Sequence, residues 1–285
     1  MTSPGQTGPA ATSGKSRWAD LVPRLISAAV IVAVIATALY FGGWVYAALM
    51  AVIFGVLYRE WEQMVTLRPL VPFGMALIGL LALAALAFPL YGVAGTAAVM
   101  GVAVLLSLGG GRQFAVWRAG GLFFFAVAMV AVLTMRGWTP LGIVAGWYLG
   151  LVIALNDTGA FFTGRLVGGP KLAPTISPAK TQSGAIGGLV AGTVAGTIFW
   201  LVFVPSPWWI GLILSILTGV VGQAGDLAES AVKRLFRVKD SGDFIPGHGG
   251  FMDRLDSVSF GALFLFAVGA LHSGIDNVAG GLLQW

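Results

Sequence analysis

Residues 184–204 read GAIGGLVAGTVAGTIFWLVFV, 21 consecutive positions without an ionisable side chain. A helix of that length spans about 30 Å, the thickness of the hydrocarbon core of a bilayer. Inside lipid the backbone must satisfy its own hydrogen bonds, which leaves helices and closed barrels, and this run shows none of the alternation a barrel strand requires. Gly188, Gly192 and Gly196 recur every fourth position and put small residues on one helical face, the pattern of a helix packed closely on a neighbour.

The same kind of run repeats on both sides. Apolar stretches lie near residues 25–41, 43–58, 71–88, 90–107, 119–135, 141–162, 184–204, 208–225 and 257–272. The third and fourth are continuous and are divided at Phe88, Pro89 and Leu90, because proline lacks a backbone donor and favours a turn. Of the 285 residues 58% are hydrophobic and 9% charged, against roughly 25% charged in a soluble domain. The expected fold class is therefore all-α: a polytopic integral membrane protein of about nine transmembrane helices. Residues 1–16, rich in Gly, Pro, Ser and Thr, are expected to form a disordered tail, and 17–285 a single transmembrane domain. Lys15, Arg17 and Arg24 before the first run resemble a signal peptide, but no small-residue cleavage site follows, so a retained span is expected.

Sidedness follows from the basic residues. Lys15, Arg17 and Arg24 precede the first span; Arg59 and Arg68, Arg112 and Arg118, and Arg165, Lys171 and Lys180 follow the second, fourth and sixth. Lys233, Arg234, Arg237, Lys239 and Arg254 follow the eighth, so fifteen of the 16 basic residues fall on one side and only Arg136 opposite. By the positive-inside rule that side is cytoplasmic and holds the amino terminus. The net charge of +5 forms no continuous stripe, so topology and not nucleic acid accounts for it. The absence of cysteine excludes disulfides and thiolate chemistry, and only His248 and His272 supply imidazoles.

Two polar segments on that face are the candidates for chemistry. Residues 156–184 carry Asn156, Asp157, Thr158, Arg165, Ser177, Lys180 and Thr181; residues 222–257 carry Asp226, Glu229, Ser230, Lys233, Arg234, Lys239, Asp240, Asp243, His248, Asp253, Arg254 and Asp256. Asp157 lies inside the sixth span, where a carboxylate costs on the order of 1 to 3 kcal/mol unless paired. A salt bridge to Lys180 or Arg165 and a ligand-binding role are both open readings. Asp226, Glu229, Ser230 and Lys233 share one helical face, while Asp253 and Asp256 open the ninth span, where the helix dipole favours acids. Acids at one depth suit a hard cation such as Mg²⁺, which binds through one or two carboxylates plus substrate phosphates. Pro246-Gly247-His248-Gly249-Gly250 is a glycine-rich turn able to cradle a phosphate, or simply a tight loop.

Taken in order, Ser230-Ala-Val-Lys233-Arg234, Lys239-Asp240-Ser-Gly, Pro246-Gly-His248-Gly249-Gly250 and Asp253-Arg254-Leu-Asp256 resemble the signature of the phosphatidate cytidylyltransferases. The likeness extends to Asn156-Asp157-Thr158 and Ser177-Pro178-Ala-Lys180-Thr181, and departs at Phe161, Phe162, Gln182 and Ser183, to which no role is given. The resemblance implies CTP and phosphatidic acid as substrates, CDP-diacylglycerol and pyrophosphate as products, divalent metal dependence and a homodimer in a bacterial-type inner membrane. On that reading Asp226 and Asp253 hold Mg²⁺, beside a second cation such as K⁺. Lys233, Lys239 and Arg254 stabilise developing charge, and Ser177, Lys180 and Thr181 grip a phosphate. Asn156, Asp157, Ser230, Arg234, Asp240, His248, Gly249, Gly250 and Asp256 line the substrates, at the cytoplasmic ends of the carboxyl-terminal spans. An ion or solute transporter is the alternative from another class, since intramembrane acids mark ion paths, but the charges gather at one face and no paired halves are evident. No Asp-Gly-x-x-Ala-Arg segment of an alcohol phosphotransferase is present.

Overall fold

A computed structural model describes residues 21–109, 113–242 and 250–285. The expected tail over 1–16 lies outside them, as do Arg112, Asp243, His248 and Gly249. The chain divides into two compact units, Met1–Ala38 and Leu39–Trp285. Helix α1 (Leu21–Phe41) supplies the described part of the first as far as Ala38; its last turn and the rest of the fold belong to the second.

That second unit is built from α2 (Gly43–Thr66), α3 (Pro72–Gly109), α4 (Ala115–Arg136), α5 (Pro140–Leu166), α6 (Gln182–Phe203), α7 (Trp208–Leu235), α8 (Asp256–Ser273) and the short α9 (Val278–Leu283). A two-stranded antiparallel ribbon, β1 (Lys171–Ala173) and β2 (Ser177–Thr181), joins α5 to α6. Among the described residues seven helices, α2 to α8, are long and apolar enough to cross a membrane, which makes this a multi-pass membrane protein. The all-α expectation holds apart from the small ribbon.

The division expected at Pro89 moves to Gly92, whose φ of 58° and ψ of −151° interrupt α3. Only glycine enters that region of backbone space without strain. The Thr96 hydroxyl donates to the carbonyl of Ala84, twelve residues earlier, at 3.1 Å. Along a straight helix those residues would stand about 18 Å apart. Helix α3 is therefore two arms folded back on each other, and Pro89 sits in the last turn of the first arm.

Helix α6 carries opposite faces of different apolar kind. Gly184, Gly188, Gly192 and Gly196 are buried, while Ile186, Val190, Val194 and Ile198 are exposed. A Cβ at Gly188 would stand 2.5 Å from the Asn156 carbonyl, and one at Gly192 2.8 Å from that of Val152, so the glycines let α6 lie against α5. The branched residues opposite are free to meet lipid.

Arg136, the one basic residue that falls opposite the other fifteen in the sequence pattern, is buried at the end of α4. Its guanidinium donates to the carbonyls of Leu39 (2.5 Å), Gly137 (3.1 Å), Thr139 (3.3 Å) and Tyr40 (3.3 Å). Gly42 has no side chain because a Cβ there would stand 2.6 Å from this guanidinium. Arg136 thus collects the unsatisfied carbonyls at helix ends, and its charge carries no topological message. Arg136→Leu is expected to cost about 2–4 kcal/mol by leaving buried carbonyls unmet. Thermal unfolding of the detergent-solubilised variant checks this, and an unchanged midpoint would refute the role.

Candidate active site

The acids of α7 and α8 meet where the sequence placed them, though with different partners. Carboxylate oxygens of Asp226, Glu229 and Asp256 lie within 4.8 Å of one another. Asp226 and Glu229 are one turn apart on α7, and Asp256 is the first residue of α8, so the junction of the two helices brings them together. Three carboxylates this close repel, and cations answer them. Lys180, from β2, forms an ion pair with Asp226, and the Lys233 ammonium stands 2.7 Å from Glu229 Oε2. Glu229 Oε1 is buried and receives no hydrogen bond. A buried carboxylate oxygen without a hydrogen-bond donor, on a residue clustered with two other acids, fits a hard cation, for which oxygen ligands are the preferred set.

Asp253, expected to pair with Asp226, is outside the three-carboxylate cluster but adjoins Glu229 and is held by Lys233. Its Oδ1 accepts from Lys233 Nζ at 2.5 Å, and its Oδ2 accepts from the backbone N–H groups of Gly250 (3.0 Å) and Ser241 (3.2 Å). Burial alone would push this carboxyl up, but the Lys233 hydrogen bond and charge, together with the Ser241 N–H, hold it below the ordinary carboxylate range. Lys233 therefore links Asp253 to the cluster through Glu229.

Two cavities flank the acids. A polar one of about 390 Å³ lies among α5, α6, α7 and the ribbon, and Asp157, Arg165, Lys180, Gln223 and Asp226 line it. An apolar one of about 230 Å³ lies among α2, α4, α7 and α8, and Glu229 and Asp256 are in its wall. The carboxylate cluster is the partition between them.

The remaining expected residues divide into contact and framework. Asp157 shares the polar cavity with Lys180, but Lys180 pairs with Asp226, and the Arg165 guanidinium lies 4.1 Å over the Phe161 ring. Thr181 caps α6, accepting from the Gly184 N–H at 3.1 Å. Ser177 pairs with Ala173 across the ribbon. Arg234 ties α7 to the ribbon through the Ile176 carbonyl (3.1 Å) and to its own loop through that of Val238 (3.1 Å). Asn156 is buried, donating to the Gly219 carbonyl at 3.0 Å and accepting from Gln223 at 2.8 Å, so it binds α5 to α7. Ser230 is buried on α7, while Lys239, Asp240 and Arg254 are exposed.

Sequence reasoning missed Glu60. It is 0% exposed on α2, and it accepts from Ser241 Oγ (3.0 Å), the Phe251 N–H (2.9 Å) and the Met252 N–H (2.8 Å). Together with Asp253 it clamps both ends of the glycine-rich loop. Gly242 and Gly250 are required here, since a Cβ at either would stand 2.9 Å from the Glu60 carboxylate. The signal was present: the second span continues past residue 58 to Thr66, so Glu60 is an acid inside an apolar helix and demanded a partner. Glu62 answers the same demand through buried Arg118, which donates to both its oxygens at 2.8 and 3.0 Å.

A family model described as the cytidylyltransferase family matches residues 22–272. Among curated proteins, the chain is similar to the phosphatidate cytidylyltransferase of Brucella suis, 38% identical over 161 residues, covering 56% of this chain and 59% of that protein. It is also similar to the proteins of that name from Bacillus subtilis, 40% identical over 140 residues (49% of this chain, 52% of the relative), and Staphylococcus saprophyticus, 48% identical over 112 residues (39% and 43%). The chain spans about half the length of the curated relatives it matches.

Removing the Glu60 carboxylate should release the loop without unfolding the helices. Glu60→Ala is expected to raise hydrogen exchange at the Phe251 and Met252 amides about tenfold or more. Unaltered exchange there would show that the clamp does not hold the loop. Asp253, held low, keeps its contribution at every pH above about 4 and loses it only as pH falls through its depressed value. Protection at Gly250 is therefore expected to stay level between pH 8 and 5, and a loss across that range would contradict the geometry.

Proposed function

Because the chain belongs to the cytidylyltransferase family, we propose that it transfers the cytidylyl group of CTP to phosphatidic acid, forming CDP-diacylglycerol and pyrophosphate. The relatives named above carry that activity in their names. The observation that carries the reading is the cluster of Asp226, Glu229 and Asp256 beside a polar cavity, with Lys180 and Lys233 held against it. In the reaction, an oxygen of the phosphatidate phosphate attacks the α-phosphorus of CTP. The bond from that phosphorus to the β-phosphate bridging oxygen breaks, and pyrophosphate leaves. The attacking oxygen is already ionised, so neither a general base nor a covalent enzyme intermediate is needed. The barrier comes from bringing two polyanions together, and neutralisation with alignment is what the site must provide.

In this reading Asp226 holds Mg²⁺ with Glu229 and Asp256, and a second cation such as K⁺ belongs beside it. Bound there, the metal offsets charge on the CTP phosphates. Asp253, taken from sequence as the second metal ligand, instead fixes Lys233 at the edge of the cluster. Lys180 leaves Asp226 to grip a phosphate when the nucleotide arrives, with Asp157 and Arg165 in the same cavity. Lys239 and Arg254, both exposed, supply positive charge to the triphosphate. The chain crosses a bacterial-type inner membrane nine times and works as a homodimer, with its amino terminus and this site cytoplasmic. The segregation of fifteen of the 16 basic residues supports the orientation.

The decisive assay is pyrophosphate release by the purified protein from CTP plus phosphatidic acid, with and without chelator, against ATP and diacylglycerol as controls. A transporter would release none. Asp226→Asn and Glu229→Gln should each raise the Mg²⁺ concentration for half-maximal activity about 10- to 100-fold. Asp253→Asn should lower turnover steeply while leaving that midpoint in place. Wild-type metal dependence in Glu229→Gln would remove the cluster assignment.

A further inference from the structure

The geometry points to the apolar cavity between α2, α4, α7 and α8 as the seat of one acyl chain of the lipid substrate, with Gly120 keeping its mouth open and setting chain-length preference. This inference rests on the activity proposed above. The cavity, about 230 Å³ and open on one side, is far larger than one water needs and is lined almost wholly by apolar surface. Trp61, Phe124 and Phe260 form its walls, while Glu229 and Asp256 stand in the wall beside Asp226, which faces the polar cavity. A ligand for it must be apolar along its length and end in a group that reaches carboxylates through a cation. A phospholipid bearing a terminal phosphate has that form, and a water-soluble solute does not.

The opening is local and specific. Gly120 lines the cavity and is exposed on the outer face of α4, and a Cβ there would meet nothing within 4 Å. Packing therefore does not demand glycine at 120; the space before it belongs to the mouth. Its neighbour differs, because a Cβ at Gly121 would overlap the Trp61 indole. That ring is held by its N–H, which donates to the Trp117 carbonyl at 3.0 Å, so the wall it forms is fixed. The outer surface of the bundle is apolar, which makes a mouth on it an entrance from hydrocarbon and leaves the polar cavity for the nucleotide. The two substrates then approach the carboxylates from opposite sides.

The test compares dipalmitoyl with dihexanoyl phosphatidate in mixed micelles, with CTP and Mg²⁺, for the full chain and Gly120→Leu. The ratio of kcat/KM for the long over the short lipid should fall about tenfold in the variant. An unchanged ratio, or an equal fall for both lipids, overturns the assignment. Quenching of Trp61 by phosphatidate brominated on its acyl chain, taken as wild type minus Trp61→Phe, supplies a readout that needs no turnover. It should exceed quenching by equally brominated phosphatidylcholine and lose that excess in Gly120→Leu. Equal quenching by the two lipids would make the cavity a site for bulk lipid and end the proposal. Absence of pyrophosphate release from wild type, with the quenching excess present, would instead sink the proposed activity and leave a phosphatidate-binding cavity.

Discussion

A carboxylate carried into an apolar helical bundle must be met there, because hydrocarbon offers no donors and an unpaired charge is costly. Among the described residues the buried acids meet that constraint to different degrees, and the difference separates frame from candidate site. Glu62 is closed by the forked donors of Arg118, which ties α2 to α4. Glu60 is closed by a loop from the far end of the chain, and Asp253 by Lys233 and two backbone amides. Glu229 keeps an oxygen that nothing meets. The fully matched acids build the frame, and the incompletely matched cluster is left for chemistry.

That division separates roles that the motif alone runs together. Asp226, Asp253 and Asp256 look equivalent as acids in one polar segment, yet their surroundings differ. Both oxygens of Asp253 are engaged, which suits a residue that fixes a loop and a lysine. Asp226 shares its lysine with an open cavity. A partition made of carboxylates between a polar and an apolar space also fits a reaction whose two reactants differ so strongly in polarity.

Much of this was legible in the sequence, for identifiable reasons. Span positions follow from apolar length, and the glycine repeat in α6 announced its close approach to α5 because small residues every fourth position share a face. The acids of α7 and α8 were found because three-residue spacing places them on one helical side. Gly92 was missed in favour of Pro89 because proline is the stronger turn signal when tertiary pairing, here Thr96 with Ala84, is unknown. Glu60 was missed because the second span was ended at residue 58, before the charged Arg59 and Glu60, whereas α2 continues to Thr66. Partners such as Ser241 and Met252 lie far away in the chain, and spacing carries no information across such separations.

Glu60 stands 181 residues before Ser241 and 192 before Met252 in the chain. Synthesis proceeds from the amino end, so this acid is made and threaded into the bilayer long before the groups that receive it exist. Until α7 is inserted and the segment after it has emerged from the ribosome, its position near the end of α2 lets it reach toward headgroups. A segment near the carboxyl end, Ser241 to Met252, is thus the lock for the end of α2. A chain cut short before residue 241 would leave that lock open, with a carboxylate in an apolar helix and none of these donors to meet it.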